Sequence, residues 1–203
     1  ENHFAFIAAL DDAVARGVKL IALPGDFSDD GQPVHMRGLA RLLDEYAARH
    51  GIEFFAAPGN HDPVRPFEQA GGKDDYLGRD PITGDTGYPQ PVFSRGGNDD
   101  CSTPYPGEWA RVGGSYCTQE VLHMGYAGIT RVLAQHGFVP KPQYLYYETP
   151  YSTYSYDDYD YPTALEQSGW ANRQYEICGV VCKTIPDTSY VVEPVEGLWL
   201  VGL

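Results

Sequence analysis

Hydrophobic and polar positions alternate in an ordered way through the first third of the chain. Between Glu1 and Gly17, Phe4, Ile7, Ala8 and Val14 fall close to one face of a 3.6-residue period, which predicts a helix that Gly17 caps. The stretch VKLIAL, residues 18 to 23, is short, apolar and partly β-branched, and predicts a buried strand. Helical spacing returns in PVHMRGLARLLDEYAARH, residues 33 to 50. Met36, Leu39, Leu43 and Tyr46 form its apolar stripe, Pro33 suits the first turn, and Gly51 ends it. IEFFAA, residues 52 to 57, predicts the next strand. Strand, helix and strand, with both strands apolar on both faces, are most simply a parallel pair joined by a right-handed crossover.

After residue 66 the pattern breaks. Residues 67 to 120 are rich in Gly, Pro, Asp and Asn, as in AGGKDDYLGRDPITGDTGYPQP and RGGNDD, and show little periodicity. One helix is expected from about Thr118 to Gln135 on Val121, Leu122, Ile129, Val132 and Leu133, with Gly125 and Gly128 weakening it. YLYYETPYSTYSYDDYDYP, residues 144 to 162, is dense in tyrosine. It reads as ring packing where regular structure is scarce, or as an aromatic platform for a ligand, and packing is favoured. ALEQSGWANRQYEICGVVC, residues 164 to 182, suggests a short helix with a turn, and residues 189 to 203 return to strand patterning. The expected division is therefore a patterned part of the core over 1–66, a loop-rich insertion over 67–188, and a return to a core strand over 189–203. The chain starts inside a helical pattern and stops on a strand pattern, so a piece of a longer protein is expected.

Composition narrows the classes. A length of 203 residues suits one domain with a real core. A formal net charge of -14 and the lack of a basic stripe argue against a nucleic-acid-binding surface. Anionic substrates stay open, because bound cations invert the local field. No apolar run reaches membrane-span length, and no signal-peptide pattern is seen. The four cysteines, Cys101, Cys117, Cys178 and Cys182, allow three pairings, of which Cys101–Cys117 with Cys178–Cys182 is the simplest. Two disulfides would imply a periplasmic or secreted setting; four reduced thiols would imply a cytoplasmic one. Neither pair has the spacing of a zinc knuckle.

The candidate chemistry lies where the two first strands end. LPGDFSDDG, residues 23 to 31, sets Asp26, Asp29 and Asp30 directly after an apolar strand; FFAAPGNHDP, residues 54 to 63, does the same with Asn60, His61 and Asp62. Each strand runs into Pro-Gly and then a polar cluster. Parallel strands present their C-terminal ends on one edge, where open α/β sheets bind ligands. A carboxylate can bridge two cations, an amide oxygen is a neutral hard ligand, and an imidazole can bind metal or donate a proton. With no paired Ser or Cys nucleophile, this set favours metal-dependent hydrolysis over covalent catalysis. Asp29 and Asp30 read as a solvated turn, His35 as a helix residue near the site, and His3 and His50 as surface residues. Arg65 is a candidate phosphate contact.

At these residues the chain resembles the calcineurin-like metallophosphoesterases. GDFSDDG is similar to their strand-end Gly-Asp motif, and GNHD to their Gly-Asn-His-Asp/Glu motif. The resemblance covers about residues 1 to 66, and the closing strand more loosely. It implies a four-layer α/β/β/α sandwich, here partial, with two divalent or trivalent metal ions (iron, manganese or zinc) and a small phosphate-ester substrate. Asp26 would then bridge the metals, Asn60 would bind the second one, His61 would sit beside the phosphate, and Asp62 would orient His61. The Asp-x-His motif of the family's first strand would precede residue 1. Its later metal-binding His and its Gly-His-x-His are not placed, and His123 and His136 are not assigned as ligands. With part of the metal shell missing, the piece alone is expected to be inactive. Asp30 stands where the Ser/Thr protein phosphatases carry Arg, which argues against that type. The alternative is a non-catalytic relative that acts as a binding or scaffold protein.

Overall fold

A computed structural model describes residues 2–79, 83–95, 101 and 116–203. Part of the stretch read as irregular, residues 80–82, 96–100 and 102–115, lies outside the described residues.

The first unit is helix α1 (Asn2–Ala15), strand β1 (Leu20–Leu23), helix α2 (Pro33–His50) and strand β2 (Glu53–Ala56). β1 and β2 pair in parallel, Leu20 opposite Glu53 through Leu23 opposite Ala56. α2 begins on Pro33 behind an extended Gln32 and stops at Gly51, whose φ of 63° lets its N–H reach the carbonyl of Ala47. Met36, Leu39, Leu43 and Tyr46 are all buried, as their spacing requires.

Two details differ from the sequence reading. α1 buries Leu10 and partly buries Phe6 and Val14, a spacing of four, while Phe4 is 76 % exposed. β1 is not buried on both faces: Leu20 and Ile21 are half-buried and Ala22 is exposed, because among the described residues β1 pairs with β2 alone. β2, flanked further by residues 134–138, buries Phe54, Phe55 and Ala56.

The next strands, β3 (Gly72–Arg79), β4 (Thr86–Phe93) and β5 (Tyr116–Cys117), form a small sheet in that order. The helix expected over 118–135 is broken into a 3₁₀ turn (Gln119–Val121), α3 (Gly125–Val132) and a wide turn (Ala134–Phe138). Gly125 explains the break. Its φ is 63°, and a Cβ there would stand 2.6 Å from the backbone carbon of Phe67. After β6 (Tyr146–Glu148) and α4 (Tyr161–Gln167), the hairpin β7 (Gln174–Cys178)–β8 (Cys182–Pro186) follows. The closing stretch is itself a hairpin, β9 (Tyr190–Val195) and β10 (Leu198–Gly202), turning at Gly197; with β6 it makes a sheet in the order β10-β9-β6.

One core joins these parts. Ile129, Leu133, Phe138, Tyr144, Tyr147, Tyr190 and Val192 pack in the same cluster as Leu10, Leu43 and Phe54. The Tyr190 hydroxyl donates to the carbonyl of Ala56 at 3.0 Å, which ties the antiparallel sheet to β2. Tyr144, Tyr146 and Tyr147 are buried, whereas Tyr156 and Trp199, tilted against Tyr146, face outward. Arg173 is fully buried. Its guanidinium donates to the carbonyls of Phe138 (2.5 Å) and Ser189 (3.0 Å) and stacks on Trp170. The cysteines lie as Cys101–Cys117 and Cys178–Cys182, at disulfide distance with Cα separations of 5.5 and 4.0 Å. Among the described residues no helix is long and apolar enough to cross a membrane.

Candidate functional site

The parallel register brings the C-terminal ends of β1 and β2 side by side, and the N–H of Ala57 donates to the carbonyl of Leu23. From there the two Pro-Gly turns pack backbone against backbone. A Cβ on Gly25 would lie 2.6 Å from both Cα and N of Gly59; one on Gly59 would lie 2.3 Å from Asp26 Oδ1. Real side chains cannot occupy either position without moving the other turn, so the repeated glycine is a packing requirement. Gly25 (φ 97°) and Asp26 (φ 54°) both have positive φ, a conformation that Asp tolerates better than most residues.

This contact sets Asp26 beside the second motif. Asp26 Oδ1 accepts the backbone N–H of His61 at 3.1 Å, and Asp26, Asn60 and His61 are all exposed at the edge. Asp62 behaves differently. It is fully buried, and its carboxylate accepts the N–H of Phe27 (3.0 Å), the N–H of Ser28 (2.7 Å), the Ser28 hydroxyl, and more weakly the N–H of Gly59 (3.4 Å). The sequence reading gave Asp62 the task of orienting His61; its oxygens instead clamp the first turn to the second. The carboxylate facing the His61 ring is that of Asp30, with Oδ1 at 3.3 Å from Nδ1.

Asp30 is the residue that sequence reasoning left in solvent. Its φ is 61°, its side chain is largely enclosed, and Lys73 Nζ and His123 Nε2 each lie 3.9 Å from its Oδ2. Lys73 also pairs with Asp29. His123 arrives because residues 118–124 dock on this turn: the N–H of Met124 donates to the carbonyl of Gly31, and Gln69 and His123 form a short bridge. Burial holds the His123 imidazole below its usual range; Asp30 opposes this, and Arg65 and Lys73 add to it. Arg65 is exposed, and its charge reaches His123 in this cluster. His136, 4 % exposed, bonds Asp44 on α2 at 3.0 Å and meets the Phe54 ring edge-on. No local signal in the sequence marks the approach of Lys73 and His123, because it depends on segments that lack periodicity.

The donor set fits a cation in kind. Asp26 and Asn60 offer hard oxygens, Asp26 has no ion-pair partner among the described residues, and Gly59 leaves room at its carboxylate that a methyl group would fill. Among the described residues, however, the one group of three His, Cys, Asp or Glu close enough to share an ion is Glu176, Cys178 and Cys182, with its cysteines paired. Asp26 and Asn60 would therefore supply only part of a coordination shell.

No curated protein and no solved structure matches the chain. The family model of calcineurin-like phosphoesterases matches residues 1–172, the span that carries both Pro-Gly turns and the docking of His123. Members of that family are generally metal-dependent hydrolases of phosphate esters, and the chain belongs to the calcineurin-like phosphoesterase family.

Proposed function

We propose that the protein hydrolyses phosphate mono- or diesters with metal-activated water at the edge formed by Asp26, Asn60 and His61. The observation that carries this reading is the glycine-to-glycine contact, which sets an exposed carboxylate, an exposed amide and an exposed imidazole on one strand edge. Asp26 and Asn60 would hold metal; two ions, of iron, manganese or zinc, are proposed. Bound metal supplies a hydroxide at neutral pH and stabilises charge on the phosphoryl oxygens. His61, exposed and faced by Asp30, is placed to donate a proton to the departing alkoxide. Asp62 keeps the two turns in register, and Arg65 supplies positive charge for the phosphate. The paired cysteines support a periplasmic or secreted setting. The partial coordination shell favours one other reading, a non-catalytic binding or scaffold role.

The test is hydrolysis of p-nitrophenyl phosphate and bis(p-nitrophenyl) phosphate by the full-length protein that carries this piece, after chelation and reloading with Mn²⁺, Zn²⁺ or Fe²⁺. Activity is expected to return with one of these metals and to fall at least about 100-fold in Asp26→Asn. A metal-loaded protein without activity, or an Asp26→Asn variant as active as the parent, overturns the hydrolase reading in favour of the scaffold.

A further inference from the structure

Beside the site lies a cavity of about 280 Å³ whose walls include Pro58, Tyr126, Tyr175, Asp187, Ser189 and Leu203. Pro58 immediately precedes Gly59 and Asn60, so the cavity opens next to the turn that carries the candidate ligand and His61. Its volume suits a group smaller than a drug-sized molecule.

The chemistry of the walls is specific. Asp187 supplies a carboxylate in a fixed orientation: Oδ1 accepts the N–H of Ser189 at 2.9 Å, and Oδ2 accepts the Tyr151 hydroxyl at 3.3 Å. Among the described residues no Lys, Arg or His forms an ion pair with it. Lys183, the cation nearest in sequence, lies over the Phe67 ring at 4.9 Å from its centroid, and Arg173 turns its guanidinium to the carbonyls of Phe138 and Ser189 instead. Two phenol rings, Tyr126 and Tyr175, share the cavity with this carboxylate. Burial, then Tyr126, then Asp187 raise the Tyr175 phenol, which keeps that ring neutral. Aromatic rings beside a carboxylate without a cation partner are the arrangement that attracts an organic ammonium group. The net charge of -14 adds to the same preference.

We propose that this cavity binds the alcohol portion of the substrate and selects alcohols that carry an organic cation, such as a quaternary ammonium. The term substrate rests on the hydrolase reading; recognition of the cation does not. Phosphoryl transfer to water would release the ammonium-bearing alcohol into the cavity, with the P–O bond to that alcohol breaking as the bond from water forms.

The test uses two phosphate monoesters of one shape, choline phosphate and 3,3-dimethylbutyl phosphate, with the Mn²⁺-loaded full-length protein that carries this piece. A kcat/KM about tenfold higher for choline phosphate is expected, and Asp187→Asn should bring the ratio close to 1. Asn keeps an oxygen for the Ser189 N–H, so the loop retains its bond. Equal kcat/KM values in the parent, or a preference that survives Asp187→Asn, overturn the proposal. If neither ester is hydrolysed, the hydrolase reading is what fails, and titration of choline chloride by calorimetry then decides on the cavity. Binding that is lost in Asp187→Asn and weakened in Tyr175→Leu supports it; no binding to the parent overturns it.

Discussion

Replacing Asp62 by Asn separates a structural clamp from a residue that serves His61. The substitution keeps shape and leaves one oxygen where there were two. Four donors converge on the carboxylate, from Phe27, Ser28 (twice) and Gly59. The Asn amide must turn its NH₂ toward at least one of these donor sites and leave a buried donor facing a donor. A hydrogen bond to a charged group contributes about 1.5–3 kcal/mol, and a buried unsatisfied donor costs about 1–3 kcal/mol. Since the site is fully buried, little solvent can enter to repair it. A loss of about 3 kcal/mol follows, equivalent for a chain of this length to about 6–12 °C in Tm. The assay is thermal unfolding by circular dichroism, with His61→Ala as comparison. The His61 ring is exposed and meets Asp30 at 3.3 Å, so its removal should change stability by less than about 1 kcal/mol. An Asp62→Asn protein that melts within about 2 °C of the parent, or a His61→Ala protein that falls as far, would refute the clamp.

Three further outcomes are expected. Gly59→Ala sets a methyl 2.3 Å from Asp26 Oδ1, so it should displace that carboxylate and lower metal content by mass spectrometry at least severalfold; unchanged loading would contradict the close approach. Arg173→Ala strips the carbonyls of Phe138 and Ser189 of their donors and should cost about 3–5 kcal/mol in urea unfolding, whereas a loss under about 1 kcal/mol would show that water replaces the guanidinium. His136 is held below its ordinary value by burial, with Asp44 opposing, so the unfolded chain takes up the proton first. Its contribution to stability is present above about pH 6.5 and is lost as pH falls below that. His136→Gln should flatten stability between pH 7 and 5, and an unchanged slope would exclude this group as the cause.

The unit from β1 to β2 was readable because each local signal agreed: a stripe at helical spacing, Pro33 at the start, Gly51 at the end, and two apolar runs of strand length. The Pro-Gly turns were readable as a repeated pattern, but the reason for the glycines is a contact between segments 34 residues apart. The closing hairpin was read as one stretch of strand, although Glu196-Gly197 is a turn signal within it. Tyrosine defeated the reading of 144–148, since one residue type serves both buried strand and exposed loop. Asp30 was misjudged, and Arg173 went unremarked, for the same physical reason. A charged side chain carries a strong prior for solvent, and only tertiary partners, here two carbonyls and a Trp, or two His and a Lys, overturn it.

The contact between Gly25 and Gly59 also bears on how this chain can change over generations. A side chain added at either position is blocked by the backbone of the other turn, so neither motif can drift while its counterpart stays put. Substitutions at the two positions should combine non-additively, with the second costing much less than the first once the turns have separated. For mutational tolerance, then, the two motifs count as one heritable unit, and lineages that lose one are expected to lose the other soon after.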